Sequence, residues 1–252
     1  MKISTSDRLL KALSIVFWLS VWQIAALLIG EELFLPSPAA VLSRLISISS
    51  EPVFWSSIAF SLSRISLGFF LSLLSALVLS FLSYKAKAVR ILLEPLVKMI
   101  KATPVASIVI LALVWIRSRN LSVVISFLMV FPVVYTNMLE GLDSLDRSLV
   151  EMADVYSIRG IRRFRYILLP SLTPYYGSAL KLGLGLCWKS GIAAEVISMP
   201  SGSIGERLYE AKIYLSTPDL FAWTVTIVLL AFIFEKAVLR ASLFLIDKGC
   251  GR

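Results

Sequence analysis

Residues 151–170 read EMADVYSIRGIRRFRYILLP, a polar segment of twenty residues that carries four arginines. Strongly apolar stretches lie on both sides of it. Very hydrophobic chains usually keep their loops short, so a loop of this length is unusual. A long basic loop between two apolar stretches favours a surface that is presented to a cytoplasmic partner.

The composition of the chain is that of an integral membrane protein. Of its 252 residues, 58% are hydrophobic and 16% are charged, and the mean hydropathy is +0.86. A soluble domain is about 45–50% apolar and about 25% charged. We therefore predict an all-α integral membrane protein with a single domain over residues 1–252. The net charge of +9 reflects the basic loops of such proteins, and we expect no nucleic-acid partner.

Residues that carry chemistry are few. The chain has no histidine and two cysteines, so it lacks the commonest general base and metal ligand and is too poor in cysteine for a disulfide framework. A membrane-embedded enzyme therefore fits poorly, because no paired carboxylates lie close together within the apolar stretches either. A passive channel without an ATPase partner is a second alternative. We expect neither a catalytic nor a metal or cofactor site in this chain.

About six segments are long enough to cross a bilayer, since a helix needs about twenty apolar residues to span the hydrocarbon core. Helices are the only structure open to runs of this length in lipid. The segments are 12–29, 58–83, 89–115, 120–142, 171–198 and 219–246. No clear cleavage site follows the first segment, so we interpret it as a retained transmembrane helix. Pro104 predicts a break or bend in the third span, and Pro132 predicts one in the fourth.

The distribution of lysine and arginine predicts the orientation. Segments 1–11, 84–90, 143–170 and 236–252 together hold fifteen basic residues, whereas the segments on the opposite side hold five. Cytoplasmic loops are the ones enriched in such residues. Both termini and the 143–170 loop are therefore expected in the cytoplasm, with the chain in the bacterial cytoplasmic (inner) membrane.

The loop contains a predicted helix. Ser148 and Glu151 have the spacing of a capping box, so the helix is expected to begin at about Leu149, with acidic residues in its first turn where the helix dipole favours them. One apolar face is predicted from Leu149, Met152, Ala153 and Tyr156. The helix is expected to end between 157 and 160. On this physics alone, a short interfacial helix that merely connects two spans is the favoured explanation of the segment.

The spacing in this loop also resembles a family motif. Glu151, Ala153, Ile167, Leu169 and Pro170 fall at the fixed positions of the EAA motif of ABC importer permeases. Met152 stands where that family usually has alanine, and Ser157 where it usually has glycine. The stretches LPSPAAVL at 35–42, SLSRISLGF at 61–69 and PVASIVILALVW at 104–115, with an Ala-Glu pair at 194–195, are similar to the nitrate/sulfonate/taurine branch. One further departure is IRSRN at 116–120, where the branch often has a glycine-containing turn.

The resemblance implies a type I ABC importer permease fold with an ATPase-coupling loop at 143–170. It implies a second copy of the chain, two ATPase subunits that bind ATP and Mg²⁺, and an extracytoplasmic solute-binding protein. In the family, the loop helix docks in a groove of the ATPase. By this match the coupling residues are Glu151, Met152, Ala153, Tyr156, Ser157, Ile167, Leu169 and Pro170. If the family glycine supplies a positive φ, a serine at 157 costs about 1 kcal/mol of strain.

The implied function is transport of a small, anionic or polar solute. Nitrate, sulfonates, taurine and thiamine-pyrimidine-like compounds all fit the branch. The chain has no phosphate-binding loop of its own, so ATP hydrolysis belongs to a partner and the chain is expected not to be an enzyme.

Basic residues within the spans are candidates for the translocation path, because ionisable groups in lipid are costly. Arg64, Lys181, Lys189 and Glu195 are the candidate path residues. The alternative for Lys189 is a pair with an acid on another helix, and Arg64 has the alternative of a structural anchor. For Lys98 the simpler explanation is a pair with Glu94, four residues away on the same helical face.

The fifth span carries a second pattern. Ala179, Gly183, Cys187 and Gly191 form one stripe of small residues, which lets helices approach closely in membranes. Lys181, Lys189 and Glu195 are predicted on the opposite side, facing a cavity.

Overall fold

The computed structural model describes residues 5–250, and every regular element in that range is helical. The helices are α1 (Thr5–Ile29), α2 (Pro38–Ser49), α3 (Pro52–Lys85), α4 (Lys87–Ala102), α5 (Val105–Ala112), α6 (Ser118–Asp143), α7 (Arg147–Val155), α8 (Gly160–Arg163), α9 (Leu169–Ser198), α10 (Ile204–Ile213) and α11 (Thr217–Cys250). A single π turn, Phe164–Leu168, joins α8 to α9. The all-α integral membrane prediction is confirmed.

Three helices are long and apolar enough to cross a membrane by themselves: α3, α6 and the Thr217–Ser242 part of α11. A fourth span results if α4 and α5 are taken together, and these two helices are bent by 106° at the break between them. The break falls at Thr103–Pro104 because Pro104 offers no backbone N–H and fixes an extended entry to α5. The predicted bend of the third span is therefore confirmed.

Of the break or bend predicted at Pro132, the break is absent. Helix α6 runs without interruption from Ser118 to Asp143, with Pro132 inside it. The side chains just after the proline satisfy nearby carbonyls: Thr136 Oγ1 donates to Pro132 O at 2.7 Å, and Asn137 Nδ2 donates to Val133 O at 2.8 Å. Dense packing on both sides supports this helix, since fourteen of its residues are buried.

The predicted first and fifth spans are present as the helices α1 and α9. In the part of α1 whose side chains are described, the apolar run is Leu13–Ile29. In α9, thirty residues are long enough, but small and polar residues are mixed among the apolar ones. The position of α9 explains its composition. It packs on α3, α5, α6, α10 and α11, so protein rather than lipid surrounds much of it.

Helices α3, α6 and α9 form the core, and small residues let them approach closely. Ala179, Gly183, Cys187 and Gly191 are all buried on one side of α9, which confirms the predicted stripe. A Cβ at Gly191 would lie 2.7 Å from Ile65 Cγ1 of α3 and from Ser126 Oγ of α6. The small stripe is therefore the surface by which α9 packs against both neighbours.

The end of the bundle that holds α2 and α10 is tied together by polar contacts. Ser37 caps α2 by accepting a hydrogen bond from Ala40 N at 3.2 Å, and Arg44 of α2 forms a two-pronged contact with Asp219 at the start of α11. The hydrogen bond to Asp219 raises the pKa of Arg44. Helix α2 is amphipathic and buries Val41 and Ile48.

Candidate coupling segment and translocation path

The loop helix α7 begins earlier than the capping box predicts. Asp146 is the N-cap, and its carboxylate accepts a hydrogen bond from Ser148 N at 2.9 Å. Hydrogen bonding with Ser148, first to its side chain and then to its backbone amide, lowers the pKa of Asp146. The capping-box prediction is therefore wrong, because Asp146, two residues before Ser148, caps the helix and its carboxylate accepts the otherwise unpaired N–H of Ser148. Glu151 consequently lies in the middle of α7, and the first turn carries no acidic residue.

Helix α7 ends at Val155 in a Schellman motif. Ile158 N donates to Ala153 O at 2.8 Å, and Ser157 N donates to Asp154 O at 3.1 Å. This arrangement needs a left-handed residue after the cap, and Ser157 has a φ of 54°. Ser157 thus occupies the conformation that glycine adopts most easily, which explains why the related motif usually has glycine there.

Only part of the predicted apolar face of α7 is buried. Ala153 is fully buried, whereas Leu149, Met152 and Tyr156 are exposed. Val155, which the sequence analysis did not single out, is the most exposed of this group, at 81% of its surface. These four exposed residues form a continuous apolar surface over about a third of the helix circumference. We call Leu149, Met152, Val155 and Tyr156 the α7 apolar face.

The second half of the motif returns the chain to the bundle. Ile167 is buried, Leu169 is half-buried and Pro170 is exposed in the first turn of α9. Leu169 N donates to Phe164 O across the π turn. Since Pro170 offers no N–H and its ring crowds the carbonyl four residues before it, a wider turn at this point avoids the clash. Arg163 ties the two halves together by a 2.7 Å ion pair with Asp154.

Glu195 does not share an exposed face with Lys189, and that part of the prediction is wrong. The side chain of Glu195 is fully buried. Its Oε2 accepts from Ser61 Oγ at 2.6 Å and from Gly205 N at 3.4 Å. Ser61 Oγ also accepts from Ile204 N at 3.0 Å. Glu195 therefore joins α3, α9 and the start of α10, and its azimuth on α9 brings it to the packed side.

The other predicted path residues lie at the surface of the chain. Lys181 and Lys189 are exposed on the side of α9 away from the small stripe, which confirms their predicted placement. Within the described residues, neither lysine has a carboxylate at salt-bridge distance. Arg64 is half-buried, donates to Asn120 Oδ1 at 2.6 Å and lies over the ring of Phe60. The structure does not bring Arg64, Lys181, Lys189 and Glu195 into one site.

A charged groove of about 290 Å³ lies between α4 and α6, and the sequence analysis did not predict it. Its polar lining consists of Arg90, Glu94, Lys98, Lys101, Tyr135, Thr136, Glu140 and Asp143. Glu94 pairs with Lys98 at 2.7 Å, as predicted, and Arg90 of α4 pairs with Asp143 of α6 at 2.9 Å. The sequence signal for the groove was the spacing of charges at 87, 90, 94, 98 and 101, three or four residues apart on one face of α4.

Comparison with known proteins gives one consistent answer. The family of binding-protein-dependent transport system inner membrane components matches residues 68–249. The chain is 30% identical to a putative aliphatic sulfonates transport permease protein, SsuC, of Escherichia coli (strain K12), over 89% of this chain and 84% of that one. It is 27% identical to the taurine transport system permease protein TauC of the same organism, over 85% of this chain and 80% of TauC. A probable ABC transporter permease of Brucella melitensis is 28% identical, over 82% and 84% of the two chains.

The helical membrane fold and these relatives define the class of protein: a transport permease subunit, not an enzyme. The chain belongs to the family of binding-protein-dependent transport system inner membrane components and is the membrane-embedded permease subunit of an ATP-driven ABC importer. Membership implies an ATPase and a solute-binding protein as partners.

Proposed function

We propose that two copies of this chain form the translocation path of an importer for small sulfonates, with one ATPase bound to each copy through α7. The observation that carries the docking assignment is the α7 apolar face. Three apolar side chains of this nine-residue helix and that of its C-cap residue Tyr156 are exposed, although α7 is one of the least hydrophobic helices of the chain. An exposed apolar patch of this kind marks a protein contact.

The coupling role rests on how α7 is capped and how it is joined to the next helix. Asp146 caps one end, the Schellman motif closes the other, and Ala153 is buried. The Arg163–Asp154 ion pair joins α7 to the helical segment that continues through the π turn into α9. A push on α7 therefore reaches α9, and α9 contacts α3, α6 and α11. ATP and Mg²⁺ bind in the ATPase, and closure of that subunit supplies the push.

The substrate class follows from the relatives. The permeases named for taurine and for aliphatic sulfonates align with most of this chain. Both names describe a small organic solute with a sulfonate group. We assign the same class to this importer, in the bacterial cytoplasmic membrane, with α7 and both termini in the cytoplasm, as the excess of basic residues on that side favours.

Val155→Asp tests the docking assignment. A carboxylate at the most exposed position of the α7 apolar face should abolish co-purification with the ATPase, while the permease still inserts and folds. Glu151→Arg should weaken the same association, because Glu151 is exposed beside that face. Glu32→Gln, at an exposed residue between α1 and α2, is the control variant. Retention of ATPase binding and of sulfonate-stimulated ATP hydrolysis by Val155→Asp would contradict the proposal.

A labelling experiment tests the orientation. In right-side-out vesicles, a membrane-impermeant thiol reagent should modify Ser201→Cys but not Ser144→Cys, and both serines are exposed. Ser144 follows α6 near the loop helix, and Ser201 lies between α9 and α10 at the other end of α9. The reverse pattern would place α7 outside and rule out an ATPase contact.

A further inference from the structure

The charged stripe of α4 must face water or protein, not lipid. Lys87, Arg90, Glu94, Lys98 and Lys101 recur at helical spacing, and all five are exposed in the chain. Charged side chains exposed to hydrocarbon are strongly unfavourable. Exposed apolar residues lie on a different side of α4: Ile91, Leu92, Leu96 and Met99. Of these apolar residues, Leu92, Leu96 and Met99 lie on the opposite side from the charges. The α4–α6 groove beside the charged stripe is therefore the aqueous side of this helix.

Most of the charge in this groove is already neutralised. Arg90 pairs with Asp143, and Lys98 pairs with Glu94. Two groups are left among the described lining residues. Lys101 donates to a neutral hydroxyl, Thr136 Oγ1, at 3.2 Å, and Glu140 has no cation at salt-bridge distance. The groove thus presents one uncommitted ammonium and one uncommitted carboxylate.

These two groups are arranged in sequence along the groove. Thr136, which contacts Lys101, and Glu140 are four residues apart on the same face of α6, which corresponds to about 6 Å along the helix axis. The positive site lies beside the helix break at Thr103–Pro104, and the negative site lies one turn further toward α7. A solute with an anionic and a cationic end, separated by a short chain, complements this pattern better than a simple anion does.

We propose that the α4–α6 groove recognises a small zwitterion during translocation. Lys101 and Thr136 receive its sulfonate, and Glu140 receives its ammonium. The inference rests on the proposed sulfonate class and narrows it to amino-sulfonates. Taurine has the required form, because two carbon atoms separate its amine from its sulfonate, whereas ethanesulfonate is the same molecule without the amine.

Uptake of these two solutes by the importer reconstituted with its ATPase and binding protein tests the assignment. Lys101→Gln should lower taurine and ethanesulfonate uptake at least about tenfold, as expected for loss of one charge-assisted hydrogen bond. Glu140→Gln should lower taurine uptake by a similar factor and leave ethanesulfonate uptake unchanged. Lys85→Gln and Glu31→Gln, at exposed residues outside the groove, are the matched controls. Lys101→Arg and Glu140→Asp should restore part of the uptake.

The outcomes separate this inference from the proposed function. Normal taurine uptake by Lys101→Gln or by Glu140→Gln overturns the zwitterion site and leaves the sulfonate class intact. If the wild-type complex imports ethanesulfonate but not taurine, the zwitterion site is also overturned and the sulfonate class stands. Import of neither solute by the wild-type complex overturns both proposals. If the wild-type complex imports taurine but not ethanesulfonate, taurine uptake by Lys101→Gln and by Glu140→Gln decides whether the zwitterion site stands.

A second measurement requires no transport. In a chain carrying Cys187→Ala and Cys250→Ser, the thiol introduced by Thr136→Cys should react with water-soluble methanethiosulfonates. The quantity compared is the rate of reaction with an anionic reagent divided by the rate with a cationic one. Lys101→Gln removes a positive charge and should lower this ratio several-fold, whereas Glu140→Gln removes a negative charge and should raise it. An unreactive thiol, or a ratio that neither variant changes, overturns the site even if the substituted proteins transport poorly for other reasons.

Discussion

Ser157→Gly should stabilise the end of α7. Ser157 has a φ of 54°, in the left-handed region, and this conformation is what lets the Ile158 amide reach Ala153 O at 2.8 Å. A residue with a Cβ loses about 1–2 kcal/mol in this region, and glycine avoids that cost. Glycine also has more conformational freedom than serine in the unfolded chain, and this entropy offsets about 0.5–1 kcal/mol of the stabilisation. The net gain should be about 0.5–1 kcal/mol, a factor of about two to five in the local opening equilibrium.

Hydrogen exchange at the Ile158 amide measures this equilibrium directly in the permease in lipid nanodiscs. Exchange should slow about two- to fivefold in Ser157→Gly. Ser157→Ala keeps the Cβ and should exchange at close to the wild-type rate, and Ser157→Val should exchange faster, because a β-branched side chain tolerates a positive φ poorly. Equal exchange in the glycine and valine variants would refute the argument that backbone strain at 157 limits the stability of this turn.

Two further predictions concern packing and charge. Gly68→Ala should destabilise the chain by about 1–3 kcal/mol in thermal unfolding, because its Cβ would lie 2.4 Å from Val123 O of α6. Gly177→Ala is the control and should cost no stability, because its Cβ would have nothing within 4 Å. Equal destabilisation by the two variants would contradict the close approach of α3 and α6. Lys189→Met should express and assemble normally, because the lysine is exposed, while uptake of an anionic solute falls; poor expression would instead indicate a buried partner acid.

The local features of the chain followed from its sequence. The bend of the third span was predictable from Pro104, because the missing N–H of proline acts on its own helix whatever surrounds it. The small stripe of α9 was predictable because helical periodicity alone places Ala179, Gly183, Cys187 and Gly191 on one side. The charge pair of Glu94 and Lys98 followed from the same periodicity.

Features that depend on competition between neighbours did not follow. At the start of α7, two capping schemes were open, and Asp146 rather than Ser148 supplies the cap. At Pro132, the sequence indicated a break or bend, but α6 continues through the proline with packing on both sides. In each case the local preference was real but smaller than the sum of the surrounding contacts.

The sequence by itself determined the membrane class, the family, the long basic loop and the periodic faces of its helices, because hydropathy, motif spacing and helical geometry are properties of consecutive residues. Only the tertiary structure decided that Glu195 is buried against Ser61 and Gly205, and that Lys101 and Glu140 flank one groove. Those relations join residues 10 to 134 positions apart. Their partners are chosen by how helices pack, and periodicity within one helix does not carry that information.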